Sequence, residues 1–299
     1  MSTNLTGVTS LTFHNNQALK GAMLARFCAH LEAGRVKGIP NTWNGESGSV
    51  IGCATESDDL AVWTTALGLP KWLALLIDAV AAGQGTPEAF ALAGRPTLEA
   101  IPVGVDLERA GSEFVLKLLA GIGIWLGKAA PHVPLSEVLA RVTALHEAVL
   151  AGKHPEGADW RAARRAAMAV ADSCAEHSVE QLMASTVEAA GWDAGHSPTM
   201  ITDVMRAWVN AYSAYALLDA GWTAADEANV YVRLKEMHDR FLKDNPESKR
   251  TVFEHYAEQY PAEEERLRWR MRTAREAVST ANAMVSTMLL AVLQAHSVD

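Results

Sequence analysis

Cysteine is scarce in this 299-residue chain, and the little present forms no pattern. Cys28, Cys53 and Cys174 are odd in number and far apart, with no Cys-x-x-Cys pair and no cysteine–histidine spacing. Neither a disulfide framework nor a zinc module organises such a chain. Basic charge is also short: 26 Lys and Arg stand against 35 Asp and Glu, a net charge of −9. The deficit is −3 over residues 1–157 and −6 over 158–299. That balance offers phosphate no long-range attraction, so nucleic acid is not an expected partner. The N-terminus, Met-Ser-Thr-Asn-Leu-Thr-Gly, lacks the basic and apolar regions of a secretory signal, which makes the cytoplasm the expected location. Phosphate-loop and dinucleotide fingerprints are missing, so no nucleotide cofactor is expected. No run alternates apolar and polar residues well enough to demand a sheet, although a small hairpin around residues 48–55 stays open.

What is present is helix. Apolar residues make up 49% and charged residues 20%, which is enough to bury a sizeable core. Residues 1–14 read as extended, with Leu11 and Phe13 able to pin them. Asn15 or Asn16 caps a first helix to Ala33, whose Leu19, Met23, Phe27 and Leu31 recur every four residues. Residues 55–59 open a second helix. Lys71 to Val80 is a buried helix, Thr86-Pro87-Glu88 caps another, and Thr97 to Ala100 forms a short one. Residues 112–129 form an apolar helix in which Gly121, Gly123 and Gly127 imply close helix contact, and Pro131 and Pro134 end it. The next helix runs from Ser136 to about Ala151.

From Asp159 the chain turns alanine-rich. Trp160 to Ala190 reads as one helix, Ser197-Pro198 starts a helix to Ala220, and Thr223 caps one that Asn245-Pro246 stops. A short helix leads to Tyr260, and Pro261 opens a last one to about His296. The expectation is an all-α, multi-helix bundle of about ten helices with one glycine-rich ordered loop. Its two parts are a helical domain over 1–157 carrying the loop and an alanine-rich domain over 158–299.

The loop is Trp43-Asn44-Gly45-Glu46-Ser47-Gly48-Ser49-Val50-Ile51-Gly52-Cys53. It is followed by Gly68-Leu69-Pro70-Lys71-Trp72-Leu73 and by Ala100-Ile101-Pro102-Val103-Gly104. Over about residues 10–175, this order of motifs resembles a family of bacterial and phage proteins with no established activity. Asp159-Trp160-Arg161-Ala162-Ala163-Arg164 fits the same family, which passes there into alanine-rich helix. The chain departs from the pattern at Ser49, where the family has a first cysteine, and over residues 191–299, which are not a low-complexity alanine repeat.

Candidate chemistry is thin. Cys53 precedes a capped helix whose dipole would lower a thiol pKa, and His30 or His14 would serve as its base. The competing reading is a small buried thiol in a tight turn. His146-Glu147-Ala148-Val149-Leu150 has leucine where a zincin needs its second histidine, and Glu-x-x-His occurs nowhere, so no metal is expected. Arg266, Arg268, Arg270, Arg272 and Arg275 with Trp269 resemble a basic strip, but Glu263, Glu264 and Glu265 can neutralise it along the same helix. Ala277 to Ala295 carries no charge yet is too polar for a membrane span.

Two functions remain. The first is a helical interaction protein of phage or mobile-element origin that binds a protein partner or itself. Its contacts would be Trp43, Asn44 and Gly45 together with the stripe Met284, Met288, Leu289 and Val292, through which a second copy would pack to give a homodimer; the alternative is that the chain's own helices cover the stripe. The second is a small-molecule enzyme built on Cys53 and a histidine.

Overall fold

The computed structural model describes residues 11–128, 132–243 and 249–297. These form an all-α fold of thirteen α-helices, with no strand among the described residues. Many of the helices start where a capping side chain meets an apolar stripe; α4, α8, α10 and α13 start without a side-chain cap. The Asn16 side chain accepts from the Ala18 amide to start α1 (Gln17–Glu32). Ser49 caps α2 (Val50–Thr55), and Asp59 caps α3 (Leu60–Leu67). Helices α4 (Lys71–Ala82), α5 (Pro87–Ala100), α6 (Ala110–Lys128) and α7 (Val133–Leu150) complete the N-terminal part. Then come α8 (Gly157–Ser173), α9 (Val179–Ala189), α10 (Met200–Asp219), α11 (Ala224–Phe241), α12 (Val252–Gln259) and α13 (Pro261–Ala295). Thr223 and Thr251 form full capping boxes with Asp226 and Glu254, so the N-termini of α11 and α12 are legible directly in the sequence.

Several boundaries differ from expectation. Residues 50–53 are helical rather than loop, because the Ser49 hydroxyl satisfies the free Gly52 amide and lets a turn propagate. Helix α5 runs unbroken through Pro96, where two helices are expected. The single alanine-rich helix is two, α8 and α9, divided at Cys174–Ser178. Thr12–Asn15 is a 3-10 turn rather than an extended strand, with Phe13 and His14 left-handed at φ 53° and 50° and the Phe13 ring fully buried. The stops expected at Pro131 and at Asn245-Pro246, and the extended reading of residues 1–10, lie outside the described residues.

The packing does not divide at residue 157. One large core draws on Phe27, Trp63, Trp72, Phe114 and Leu118 from the first part, and on Met183, Ile201, Trp208 and Leu289 from the second. A smaller cluster of Leu217, Trp222, Val230, Met237, Tyr256 and Leu267 joins the end of α10 to α11, α12 and the first half of α13. Helix α13 is long because it serves both clusters.

Its C-terminal half is a core seam. Val285, Leu289, Val292 and Leu293 are fully buried, and Met284 and Met288 are half-buried against the same core. Helices α4, α5, α6 and α10 cover this stripe. The Asn282 side chain donates to the Gly83 carbonyl at 2.8 Å, which fixes the register against α4. The stripe proposed above as a contact for a second copy is therefore occupied by the chain itself. Periodicity announces an apolar stripe but not what covers it. Both α6 and α13 contain stretches long and apolar enough to cross a membrane, and in this fold both are packed among other helices.

Candidate functional site

The connection between α1 and α2 crosses itself. Lys37 donates to the Gly48 carbonyl at 2.7 Å, Gly48 to Arg35 at 3.2 Å, and Ser49 to Thr42 at 2.9 Å. At its tip the Asn44 side chain accepts from the amides of Glu46 (3.0 Å) and Ser47 (2.8 Å) around Gly45, whose φ is +90°. Asn44 and Gly45 are exposed, while Trp43 is half-buried with its ring edge against His30 at 5.0 Å.

Beneath this loop lies Asp78 of α4, which is 3% exposed. Its carboxylate accepts from the Asn41 amide at 2.7 Å and from the Ile51 amide at 2.9 Å, tying loop and helix to one side chain. Burial pushes the Asp78 carboxyl up to about 6, and the two amides partly pull it back. Asp78 stands outside every candidate site named from the sequence. The signal was a lone carboxylate inside the apolar run Trp72-Leu73-Ala74-Leu75-Leu76-Ile77-Asp78-Ala79-Val80.

Cys53 and His30 border the same loop but do not pair. The Cys53 thiol is fully buried and donates to the Gly48 carbonyl at 3.4 Å. Burial raises its pKa to about 11, so at neutral pH it is a thiol hydrogen-bond donor and not a thiolate. The His30 ring gives its Nε2 hydrogen to Glu56 at 3.1 Å. The alternative base, His14, is held by the Thr65 carbonyl at 3.0 Å. The small-thiol reading is the one this geometry matches.

A second buried polar centre surrounds His146, which in sequence appears only in an incomplete metal motif. His146 of α7 lies 2.9 Å from the Ala190 carbonyl through Nε2 and 3.1 Å from the Ser112 hydroxyl through Nδ1. A carbonyl only accepts, so Nε2 carries the hydrogen and Ser112 donates to Nδ1. Burial lowers the His146 pKa to about 4. The unfolded chain then binds the extra proton between about pH 6.5 and 4. Stability from this group is complete above 6.5 and lost as pH falls to 4, a change of about 3 kcal/mol. Asp78 has the opposite sign: its contribution is complete below about 4 and lost as pH rises through 6. His146→Gln is expected to flatten the acid limb of a melting-temperature profile between pH 4 and 6.5. An unchanged acid limb in the variant would show that His146 does not set it.

Cys174 lies 3.8 Å from His132 Nε2. His132 Nδ1 accepts from the Leu135 amide as the N-cap of α7, so Nε2 bears the hydrogen and does not withdraw the thiol proton. Burial raises the Cys174 pKa. Among the described residues no group of three or more His, Cys, Asp or Glu is placed to hold a metal.

Three of the five arginines of the basic strip on α13 are paired within the fold. Arg266 pairs with Asp226 at 3.0 Å, Arg270 with Glu227 at 3.2 Å, and Arg268 with Glu264. Only the last is a pairing along the same helix; the others bridge to α11.

Among the described residues, a groove of about 660 Å³ lies open between α6 and α7. Leu116, Leu119, Leu126 and Leu139 line it together with the small residues Ala120, Gly123, Gly127, Ser136, Ala140 and Thr143, and with Glu147. The three α6 glycines separate by role. A methyl on Gly121 would press on the Trp208 ring at 3.0 Å, so that glycine does serve helix contact. Gly123 meets only Leu139, at 3.8 Å, and Gly127 has no neighbour within 4 Å. Ile124, one turn before Gly127 on α6, and Val133, one turn before Ser136 on α7, are each 61% exposed. The chain matches no known protein family, no curated protein and no solved structure.

Proposed function

We propose that the chain is a helical interaction protein whose α6–α7 groove receives apolar side chains from a helix of a protein partner. The observation that carries this reading is the groove itself. Leucines and small side chains together line a trough open to solvent, the form in which an amphipathic helix is usually held. Small residues at Ala120, Gly123, Gly127 and Ala140 allow a partner backbone to come close. Its volume lies within the range of binding clefts, and glycine at two exposed helical positions has no internal use. The enzyme reading built on Cys53 has less support, because the thiol is buried, protonated and unpaired with any histidine.

A photo-crosslinking residue placed at position 140 in the native host is expected to capture one protein, with none captured from a control position on the outer face of α11. Recovery of no protein at position 140, or of the same proteins at both positions, would sink the reading. Gly123→Ala supplies a companion test. Replacing a helical glycine without a clash is expected to stabilise the fold by about 0.5–1 kcal/mol while narrowing the groove and weakening the captured complex. Destabilisation by Gly123→Ala would mean that the glycine has a structural use inside the fold.

A further inference from the structure

We propose that the outward face of α8, together with Trp192, docks an acidic segment of a protein partner that also carries an apolar side chain. This surface is separate from the α6–α7 groove, and the inference does not rest on that reading.

Helix α8 turns Trp160, Ala163, Ala167, Val170 and Ala171 inward. Arg161, Arg164, Arg165 and Met168 stand at i, i+3, i+4 and i+7 and form one outward stripe. Arg161 and Arg165 are exposed, and Met168 is 48% exposed. None of the three arginines has a carboxylate partner among the described residues. Asp172, one turn past Met168, is the one carboxylate of α8 on that stripe; Asp159 points to the other side. In a chain of net charge −9, with three of its five α13 arginines neutralised, three guanidiniums within five residues that meet no carboxylate among the described residues form a local positive field.

The aromatic beside them is equally unusual here. Of nine tryptophans, six are buried and two half-buried, and Trp192 alone is exposed, at 42%. The Arg164 guanidinium lies over its ring at 3.8 Å. Stacking immobilises the guanidinium and leaves its edge N–H groups free for a carboxylate in bidentate geometry. Arginine and tryptophan with an exposed methionine match the composition of interface anchors. Charge complementarity selects the occupant. A long polyanion would meet the repulsion of the whole acidic molecule, whereas a short acidic segment senses only charges within a Debye length of about 8 Å.

The test uses the intact protein and a fluorescein-labelled peptide rich in glutamate with interspersed leucines. Its glutamine counterpart and an oligothymidylate of equal length serve as controls. The acidic peptide is expected to bind with a blue shift of Trp192 emission, and the glutamine peptide is not. Arg161→Glu with Arg165→Glu is expected to weaken binding roughly tenfold or more, as is a rise in salt from about 0.02 to 0.3 M. Trp192→Ala, which leaves the charges in place, should also weaken it. Circular dichroism verifies that each variant stays folded; both arginines are exposed, so no core contact is lost. The proposal is overturned if the acidic peptide does not bind, if the reversed variant binds it equally, or if oligothymidylate binds more tightly than the peptide.

Discussion

Gly52→Ala destabilises the protein by about 3 kcal/mol or more, against the direction that helix propensity alone would give. Gly52 lies inside α2, where alanine would ordinarily gain up to about 1 kcal/mol. A methyl there would fall far inside contact distance of the Thr42 carbonyl oxygen, and Gly48 abuts the same oxygen from the other side. That oxygen already accepts the Ser49 amide at 2.9 Å, so it cannot withdraw without breaking the crossing of the loop. The clash is with backbone and not with a flexible side-chain tip, so overpacking outweighs propensity. Chemical denaturation of Gly52→Ala beside Gly123→Ala is the sharpest form of the measurement. The two substitutions are expected to move the midpoint in opposite directions, and a stabilised Gly52→Ala would refute the crossing.

Asp78→Ala is expected to cost about 2–5 kcal/mol, since it leaves the buried amides of Asn41 and Ile51 without acceptors. Relief of the buried charge offsets part of this at neutral pH, and less below pH 6, where the wild-type carboxyl is itself protonated. The variant should therefore suffer more, relative to wild type, at pH 5 than at pH 7.5. Hydrogen exchange gives the local readout. The Asn41 and Ile51 amides lose protection first, while α6 and α10 amides follow global stability. Equal loss at all sites would mean that Asp78 supports the whole core and not the loop in particular.

These two residues also mark how far the sequence could be read. The glycine-rich stretch stands out because three glycines in eight residues suit neither helix nor linker. The reason for two of them, a carbonyl passing between Gly48 and Gly52, depends on a chain crossing that no spacing encodes. Cys53 drew attention as a nucleophile because it precedes a capped segment. Its environment proved to be the inside of the first turns of α2, where the thiol keeps its proton and donates to backbone carbonyls. The pairings of Asp78, Ser112 and His146 were hidden in sequence because each partner lies 27 to 44 residues away. The groove was invisible for the same reason: Gly123 and Gly127 show that small residues are present, but not whether a neighbour fills the space.

The sequence by itself determined the class of fold and most of its punctuation. Caps at Asn16, Asp59, Thr86, Thr223 and Thr251, and the proline at the start of α13, act through the residues within one turn, so local order carries them. Tertiary structure alone decided which stripes meet. The apolar face of α13, equally suited to a second copy, is taken by α4, α5, α6 and α10. The equally regular stripe on α8 faces outward, and its arginines meet no carboxylate among the described residues. Periodicity fixes the face of a helix that seeks cover, while the identity of the cover is a non-local choice made by the packing of the whole chain.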